Sequence, residues 1–386
     1  MSNMSQLPFD ILDQIMDRLI LPNLIQFGCV CTSWRSASAP ARHKGLLPWL
    51  IVPIKNNSNN KETGNIWVDG NLGFYSILNK KLYMLNVLEI EDRRICGSSN
   101  GWLITVHENS DILLIHPFTR EIIDLPSLVD FPGVHGIDFA EDMQLEYTVS
   151  NYNSSNPNRH RQSSVYARDR YIGKVVVSTR DKASLVVMVI AGPMRELYFW
   201  RPEIKGNTWI PVQGLGFNFY DLTYYNGKFY ALNIHGNVYV VEGLDSRNPY
   251  TEAVIENGDD DQYSCFSYLI ESSGDLLKFV RFVDGKEPSK TILFKVFKLD
   301  FKEKEWLKVE TLGDRALFVG LNYSFSVCTS DFPGCKRNCV YYTDDGRGLF
   351  IKGYNEGIYN LEDGTIEKLY SDDSQDILPL PIWYAP

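Results

Sequence analysis

Two cysteines near the C-terminus have a spacing that metal sites use. Cys335 and Cys339 are separated by three residues, and a thiolate pair of this kind can supply half of a tetrahedral zinc site. No second Cys or His pair lies near them in the sequence. We therefore predict that the two thiols stay reduced, close to the edge of a strand, and that they bind no metal.

Other residues that could perform chemistry lack the spacing that the chemistry requires. His107, His116 and His135 lie close together in the sequence, but none has the i, i+4 separation of two ligands on one helix. The acidic run at residues 257–261 lacks the alternating ligands and final glutamate of a calcium loop, so we predict a solvated turn. The chain has no G-x-S-x-G elbow, P-loop, dinucleotide-binding glycine pattern or S-x-D-x-G-x-T-W turn. The sequence thus predicts no catalytic residue, no metal and no cofactor.

The N-terminal segment, residues 7–39, has the most specific pattern in the chain. A first helix is predicted from Pro8, because proline suits a first helical turn, where its missing N–H costs nothing. The apolar residues that follow recur at intervals of three and four, as on one face of a helix. They are Ile11, Leu12, Ile15, Met16 and Leu19. The segment therefore begins with an amphipathic helix.

A second helix is predicted after Pro22. Asn23 can cap this helix, and Gln26 stands where the reciprocal partner of a capping box is found. Its apolar stripe consists of Phe27, Val30, Cys31 and Trp34. About 35 residues are too few to bury two such stripes in an independent core. The stripes are therefore expected to pack on the following domain or on another protein.

Composition sets the broad class of the protein. The chain has 386 residues, 44% hydrophobic and 13% aromatic, which suits a small domain followed by a large β domain. Its seven cysteines, an odd number, favour reduced thiols over a disulfide framework. The net charge of −10 argues against nucleic acid as the main ligand, since phosphate binding depends on Lys and Arg. With neither a signal-peptide pattern nor an apolar run that could span a membrane, we expect no membrane partner and a place in the nucleus, the cytoplasm or both.

Beyond residue 46 the helical pattern gives way to short strands rich in Val, Ile, Leu, Tyr and Phe, separated by Gly, Asn and Asp turns. A motif of strand, turn, strand, charged turn and strand recurs, most completely in residues 100–126 and 226–244. The central strands of the copies lie 32, 83, 41, 58 and 62 residues apart. With loop insertions these intervals fit a unit of roughly 40–50 residues, which is typical of propeller blades. The predicted fold class is a small N-terminal all-α domain followed by an all-β domain, a β-propeller of six or seven blades. A large β-sandwich is the alternative.

The N-terminal segment resembles the F-box, the adaptor-binding domain of SCF ubiquitin ligases. The resemblance rests on a Leu-Pro-x-Asp-Ile-Leu opening at residues 7–12 and a Val-Cys-x-x-Trp-Arg close at residues 30–35. It departs from the family at residues 21–23 and at Gly28, a residue that weakens a helix by about 1 kcal/mol. The resemblance implies binding to a Skp-type adaptor and, through it, to cullin and RING subunits. The expected adaptor contacts are Leu7, Pro8, Ile11, Leu12, Ile15, Leu19, Val30, Cys31 and Trp34, with Trp34 as the hot spot.

Most of the remaining chain resembles the KIB-type β-propeller that plant proteins carry after an F-box. The matching motifs are FYSILNKKLYML, RRICGSSNGWLITV, LLIHPFTREIIDLP and CVYYTDDG. The resemblance implies an F-box domain at residues 4–45, a propeller at residues 46–386, and a non-catalytic receptor that recruits an unidentified target protein for ubiquitination. Two alternatives stay open. One is a propeller enzyme or small-molecule-binding protein with an accessory helical hairpin, and the other is an F-box scaffold that leads to no degradation.

Three segments between the repeats are expected to reach the target, because loops at the rim of a propeller are free of packing duty. They are residues 130–138, 213–221 and 322–337. The candidate contacts within them are Phe131, His135, Phe217, Phe219 and Tyr220. The alternative is that these rings pack between blades. A Ser- and Asn-rich stretch at residues 150–164, followed by Arg168 and Arg170, is predicted to be a flexible insertion between blades. The alternative is a basic contact to the target.

A propeller also needs its two ends joined. The strand predicted at residues 49–52 lies where the first blade would be completed by the last strand of the chain. We therefore expect the ring to close through this strand.

Overall fold

The fold is given by a computed structural model of the chain. It describes residues 7–16, 19, 23, 27, 30–34, 37, 48–52, 70–77, 80–139, 145–150, 159–203, 206–214, 218–246, 248–256, 265–284, 290–320, 323–332, 334–343, 356–369 and 381–384. The predicted turn at residues 257–261 and the candidate contact Phe217 lie outside the described residues, as does most of the stretch 150–164.

The N-terminal segment starts with the predicted helix. Helix α1, Phe9–Met16, begins at the Pro8 carbonyl, which accepts hydrogen bonds from the amides of Ile11 and Leu12, each at 3.1 Å. The single second helix predicted through Trp34 is wrong, because the chain bends at Val30 between helical residues at 27 and 32–34. The bend is closed by a 3.2 Å hydrogen bond from the Val30 amide to the Phe27 carbonyl. The apolar stripe therefore spans two helical pieces.

Strands make up most of the described chain after residue 48. Strands β1 to β7 are Trp49–Val52, Asn71–Ser76, Lys81–Asn86, Arg93–Ser99, Trp102–His107, Ile112–His116 and Glu121–Leu125. Strands β8 to β15 are Val134–Phe139, Leu145–Val149, His160–Ser163, Ile172–Val177, Val187–Ala191, Glu196–Trp200, Ile210–Pro211 and Gln213–Gly214. Strands β16 to β22 are Phe219–Tyr225, Lys228–Asn233, Val238–Glu242, Tyr250–Ile255, Cys265–Ser272, Asp275–Val283 and Thr291–Asp300. Strands β23 to β29 are Glu305–Val309, Arg315–Val319, Phe325–Cys328, Cys339–Tyr342, Gly357–Asn360, Ile366–Glu367 and Ile382–Tyr384.

Six sheets form blades in chain order. Their strand orders are β29-β1-β2-β3 for blade 1, β4-β5-β6-β7 for blade 2, β11-β12-β13-β14 for blade 3, β16-β17-β18-β19-β15 for blade 4, β20-β21-β22-β23 for blade 5, and β25-β24-β26-β27-β28 for blade 6. The middle strands of a blade, such as β12 and β13, are buried along their whole length. Burial on both faces explains why their sequences are continuous apolar runs rather than alternating ones.

The six blades form a closed ring. Each blade shares an apolar core with the next one, from blades 1 and 2 through to blades 5 and 6. A further core joins blade 6 back to blade 1 and contains Phe318 and Tyr341 on one side and Leu50 and Trp383 on the other. The predicted β-propeller is confirmed, and the ring has six blades within the described residues.

The ring closes through β1, as the sequence predicted. Leu50 of β1 lies opposite Tyr75 of β2 on one side and opposite Trp383 of β29 on the other. The Trp383 indole N–H donates to the Val319 carbonyl of blade 6 at 3.0 Å. The Tyr384 hydroxyl donates to the Gly101 carbonyl at 2.9 Å, between the strands of blade 2. The last strand of the chain therefore joins blades 6, 1 and 2.

Polar side chains also connect the innermost strands of neighbouring blades. The ammonium of Lys174 on blade 3 forms an ion pair with Asp221 on blade 4, and both side chains are almost fully buried. The second carboxylate oxygen of Asp221 accepts the Leu269 amide of blade 5 at 2.6 Å. One carboxylate therefore links three blades.

An insertion lies between blades 2 and 3. It contains a short 3-10 helix at Leu128–Asp130, a three-stranded sheet of order β10-β9-β8, and helix α2, Ser164–Arg170. Apolar side chains of the insertion, including Phe131, Tyr147 and Ala167, belong to the core shared by blades 2 and 3. Its described part is thus ordered β and α structure, which corrects the prediction of a flexible stretch for residues 160–164.

No helix in the described part of the chain is long and apolar enough to cross a membrane.

Candidate functional site

The helical segment at the N-terminus has a small core of its own. Leu12 and Met16, one turn apart on α1, are buried together with Phe27 and Ala37. Four of the other predicted adaptor contacts pack partly against this cluster, namely Leu7, Ile15, Leu19 and Trp34. The two stripes were predicted to be too large for the segment to bury internally; the structure buries part of them in this cluster and leaves Ile11 and Val30 exposed. Sequence patterns do not show how closely two short helical pieces can pack.

A second apolar group on this segment faces solvent. Pro8 is exposed, and the side chains of Phe9, Ile11 and Val30 are 61%, 38% and 57% exposed. Phe9 was not predicted, because it lies off the apolar stripe of α1. An apolar residue outside the stripe of an amphipathic helix is the feature that could have indicated it. Among the described residues of the segment, these four are the exposed apolar ones, and together they are called its exposed apolar surface below.

Two of the predicted adaptor contacts have a packing role. Leu12 has no exposed surface, so it cannot contact a partner directly and its assignment as a contact is corrected. Trp34 stacks on Phe27 with ring centroids 4.3 Å apart and is half-buried. Whether Trp34 is a hot spot stays a prediction.

Phe131, a candidate target contact, is buried. It is 1% exposed, stacks on Trp209 at 4.8 Å and meets Tyr198 and Tyr171 edge-on at 5.0 and 5.3 Å. This aromatic cluster fixes the insertion to blade 3. The assignment of Phe131 as a target contact is therefore wrong, and the packing alternative describes it.

The aromatic segment 213–221 is inward-facing only in part, since Phe219 is buried while Gln213 and Gly214 are exposed. Phe219 is 2% exposed and meets Tyr239 edge-on at 5.8 Å, so its assignment as a target contact is wrong as well. Tyr220, the next residue on β16, is half-buried.

His135 is the candidate target contact that the structure leaves on the surface. Its side chain is exposed, and its Nε2 atom is hydrogen-bonded to the hydroxyl of the buried Ser150. The strand register shifts between Val134 and Gly136, which places His135 in a β-bulge. Bulges re-aim a side chain at the edge of a sheet. A target contact by His135 stays a prediction.

Strand β8 of the insertion carries two exposed apolar side chains that sequence analysis missed, Ile137 and Phe139. They are 46% and 67% exposed. On the other face of the same sheet, the Arg161 guanidinium lies 3.6 Å from Asp138 and 3.6 Å from Glu146. The two arginines of the alternative basic contact differ in exposure. Arg168 is buried between Glu108 and Asp169, at 2.8 Å from each, whereas Arg170 is exposed.

The cysteines and histidines with chemistry-like spacing have structural surroundings. Cys335 and Cys339 are free thiols packed in or against the core between blades 6 and 1. His116 accepts the Thr119 amide at 3.2 Å and His107 accepts the Asn109 amide at 3.1 Å, so each orders a turn. Among the described residues, no group of three or more His, Cys, Asp or Glu side chains could hold a metal ion.

Burial makes two of the thiols poor nucleophiles. It raises the pKa of Cys335 to about 12 and that of Cys96 to about 11. Because a raised pKa keeps the thiol neutral at all lower pH values, the reactive thiolate is scarce near neutral pH. At pH 7.5 we expect both to react with iodoacetamide at least about 100-fold more slowly in the folded protein than in urea, measured by mass spectrometry. Fast labelling of Cys335 in the folded protein would contradict its burial.

A helical segment with an exposed apolar surface, followed by a closed ring of β-sheets, defines the class of F-box proteins with a β-propeller. Residues 4–39 match the F-box domain, and residues 74–360 match the family described as KIB1-4 beta-propeller. Since the second match covers more than half of the chain, the protein belongs to the plant F-box proteins with a KIB1-4 beta-propeller.

The similarity to F-box proteins of a plant extends over nearly the whole chain. F-box protein SKIP23 of Arabidopsis thaliana is 26% identical, over 95% of this chain and 91% of its own length. F-box protein At2g26160 of the same plant is 24% identical, over 90% of this chain and 97% of its own length. F-box domains generally bind Skp-type adaptors, and proteins that carry them generally act as non-catalytic receptors in SCF complexes.

Proposed function

We propose that this protein is the substrate-recognition subunit of an SCF-type ubiquitin ligase, acting in the nucleus, the cytoplasm or both. The observation that carries the proposal is the exposed apolar surface formed by Pro8, Phe9, Ile11 and Val30 around a self-packed helical core. Such a surface suits a groove on an adaptor, where helix faces complete the partner's core.

The protein itself would perform no covalent step in this function. The adaptor-bound segment would place the propeller in the ligase, and the propeller would hold a target close to the ubiquitin-charged conjugating enzyme. Holding two reactants together raises their effective concentration and favours the orientation that reacts. The acceleration would therefore come from binding the target, and specificity would come from the propeller and its insertion.

Adaptor binding tests the first half of the proposal. The double variant Pro8→Ala/Ile11→Asp should bind a purified Skp-type adaptor at least about 100-fold more weakly, because truncating two interface hot spots costs about 2 kcal/mol or more each. The measurement is isothermal titration calorimetry with the full-length protein. Ile366→Asp, which alters an exposed apolar side chain on blade 6, is the matched control and should bind normally.

Two further results test the proposal, one on adaptor binding and one on ubiquitination. Unchanged adaptor affinity of the double variant, with an unchanged melting temperature, would contradict the F-box role. If adaptor binding is confirmed, ubiquitinated proteins in plant tissue expressing the wild type are compared with those in tissue expressing the double variant. The proposal predicts proteins whose ubiquitination depends on Pro8 and Ile11, whereas captured proteins that are never ubiquitinated would indicate a scaffold.

A further inference from the structure

The insertion between blades 2 and 3 presents an open strand edge. Its sheet has the order β10-β9-β8, and β8 pairs only with β9 among the described residues. The outer side of an edge strand carries backbone N–H and C=O groups that another strand can pair with. Edge strands of this kind are where extended peptides add to a sheet.

Two apolar side chains of β8 are exposed next to this edge. Phe139, at 67%, has the largest exposed fraction of any large hydrophobic side chain in the described part of the chain, and Ile137 is 46% exposed. Ile137 lies opposite Tyr147, and Phe139 lies opposite Leu145. Residues opposite each other share one face of a sheet. The exposed pair therefore continues an apolar face whose inner part, Tyr147 and Leu145, packs against the core shared by blades 2 and 3.

Charge on the other face of β8 constrains what can pair with it. Asp138 lies opposite Glu146, and the Arg161 guanidinium is 3.6 Å from each carboxylate. One guanidinium shared by two carboxylates leaves this group of three side chains with a net negative charge. A strand added next to β8 would place one side chain beside Asp138, and opposite charges on neighbouring strands are favourable. The position calls for Lys or Arg.

We propose that the free edge of β8 is the docking site for the target, which adds an extended segment as a fourth strand. The segment carries apolar side chains against Ile137 and Phe139 and a Lys or Arg between them, beside Asp138. Pairing of β8 with the β8 strand of a second copy does not supply that pattern, because Val134–Phe139 contains neither Lys nor Arg. This inference rests on the proposed function only in regarding the docked protein as a ubiquitination target.

The test uses the full-length protein by itself and a displayed library of random ten-residue peptides. Peptides are selected on the wild type and counter-selected on the Ile137→Thr/Phe139→Thr variant, since threonine keeps the strand propensity while removing apolar surface. We expect selected peptides with apolar residues at alternate positions and Lys or Arg between them. Their affinity, measured by fluorescence polarisation, should fall at least about tenfold in the Thr variant. Leu307→Thr on the exposed edge of blade 5 is the matched control and should change nothing.

Backbone pairing is tested on the selected peptide itself. N-methylation of alternate amides on one edge should weaken binding about tenfold or more, because it removes strand hydrogen bonds, while methylation on the other edge should have little effect. The proposal is overturned if no peptide is enriched, if binding survives in the Thr variant, or if the two edges respond equally. It is also overturned if the wild type is a dimer by light scattering and the Thr variant is a monomer, which would assign the edge to a second copy. None of these outcomes depends on adaptor binding, so they are distinct from a failure of the proposed function.

Discussion

Replacing Asp221 with alanine should lower the free energy of unfolding of the propeller by about 3–5 kcal/mol, the usual cost of removing one partner from a buried ion pair. The Asp221 carboxylate has no exposed surface, and it both pairs with Lys174 and accepts the Leu269 amide. The alanine variant would take the counter-ion from a buried ammonium and the acceptor from a buried N–H. Urea unfolding followed by tryptophan fluorescence is the measurement.

Two comparisons show whether the effect comes from buried charge. The variant Glu310→Ala breaks the exposed Lys308–Glu310 pair and should cost at most about 1 kcal/mol. The double variant Lys174→Met/Asp221→Asn removes both charges and keeps an amide oxygen that can accept the Leu269 N–H. It should be more stable than Asp221→Ala. If Asp221→Ala and Glu310→Ala lower the free energy of unfolding equally, the buried link between blades 3, 4 and 5 stabilises the protein no more than an exposed ion pair does.

Truncating Trp383 to alanine should destabilise the ring by about 3–5 kcal/mol, as expected for a large aromatic side chain removed from a core. Trp383 is fully buried between blades 6 and 1, meets Phe318 edge-on at 5.0 Å, and donates its indole N–H to the Val319 carbonyl. Strand β29 holds the two ends of the ring together. Because the truncation weakens the packing of β29, it should also expose the edge of β1 and promote aggregation through it. Differential scanning calorimetry and light scattering measure the two effects.

Tyr384 provides a graded comparison within the same strand. Tyr384→Phe keeps the ring and removes only the hydrogen bond to the Gly101 carbonyl, so it should cost about 1 kcal/mol. Tyr250→Ala, on blade 4, is the control. It removes an aromatic side chain that is 44% exposed, so it should change the free energy of unfolding only slightly. If the Trp383→Ala variant has the same melting temperature as the wild type, the stability of the ring does not depend on closure by the C-terminal strand.

Much of the architecture could be predicted from the sequence, because it depends on local patterns. The stripe of α1, the alternation of strands and turns, and closure through Trp49–Val52 all follow from the order of apolar and polar residues. The second helix was predicted wrongly because a stripe at helical spacing is also compatible with two shorter pieces joined by a bend at Val30. Local periodicity does not distinguish these arrangements.

The candidate site, unlike the fold, could be predicted only poorly from the sequence. The sequence identified aromatic residues in unusual segments, but Phe131 and Phe219 lie in the core while Phe139 lies on the surface. Which face of a short strand is buried depends on the elements that cover it, and those come from distant parts of the chain. Phe131 is covered by Trp209, far along the sequence, and no pattern around residue 131 contains that information.

The sequence by itself determined the two-domain plan, since the end motifs of the N-terminal segment and the blade period are properties of neighbouring residues. Only the tertiary structure decided which apolar side chains of that segment face outward, which carboxylate joins three blades, and which strand of the insertion keeps an open edge. Each of these depends on contacts between residues that are remote in the chain. Burial and pairing are set by the whole packed ring, whereas helix, strand and turn preferences are set within a few residues.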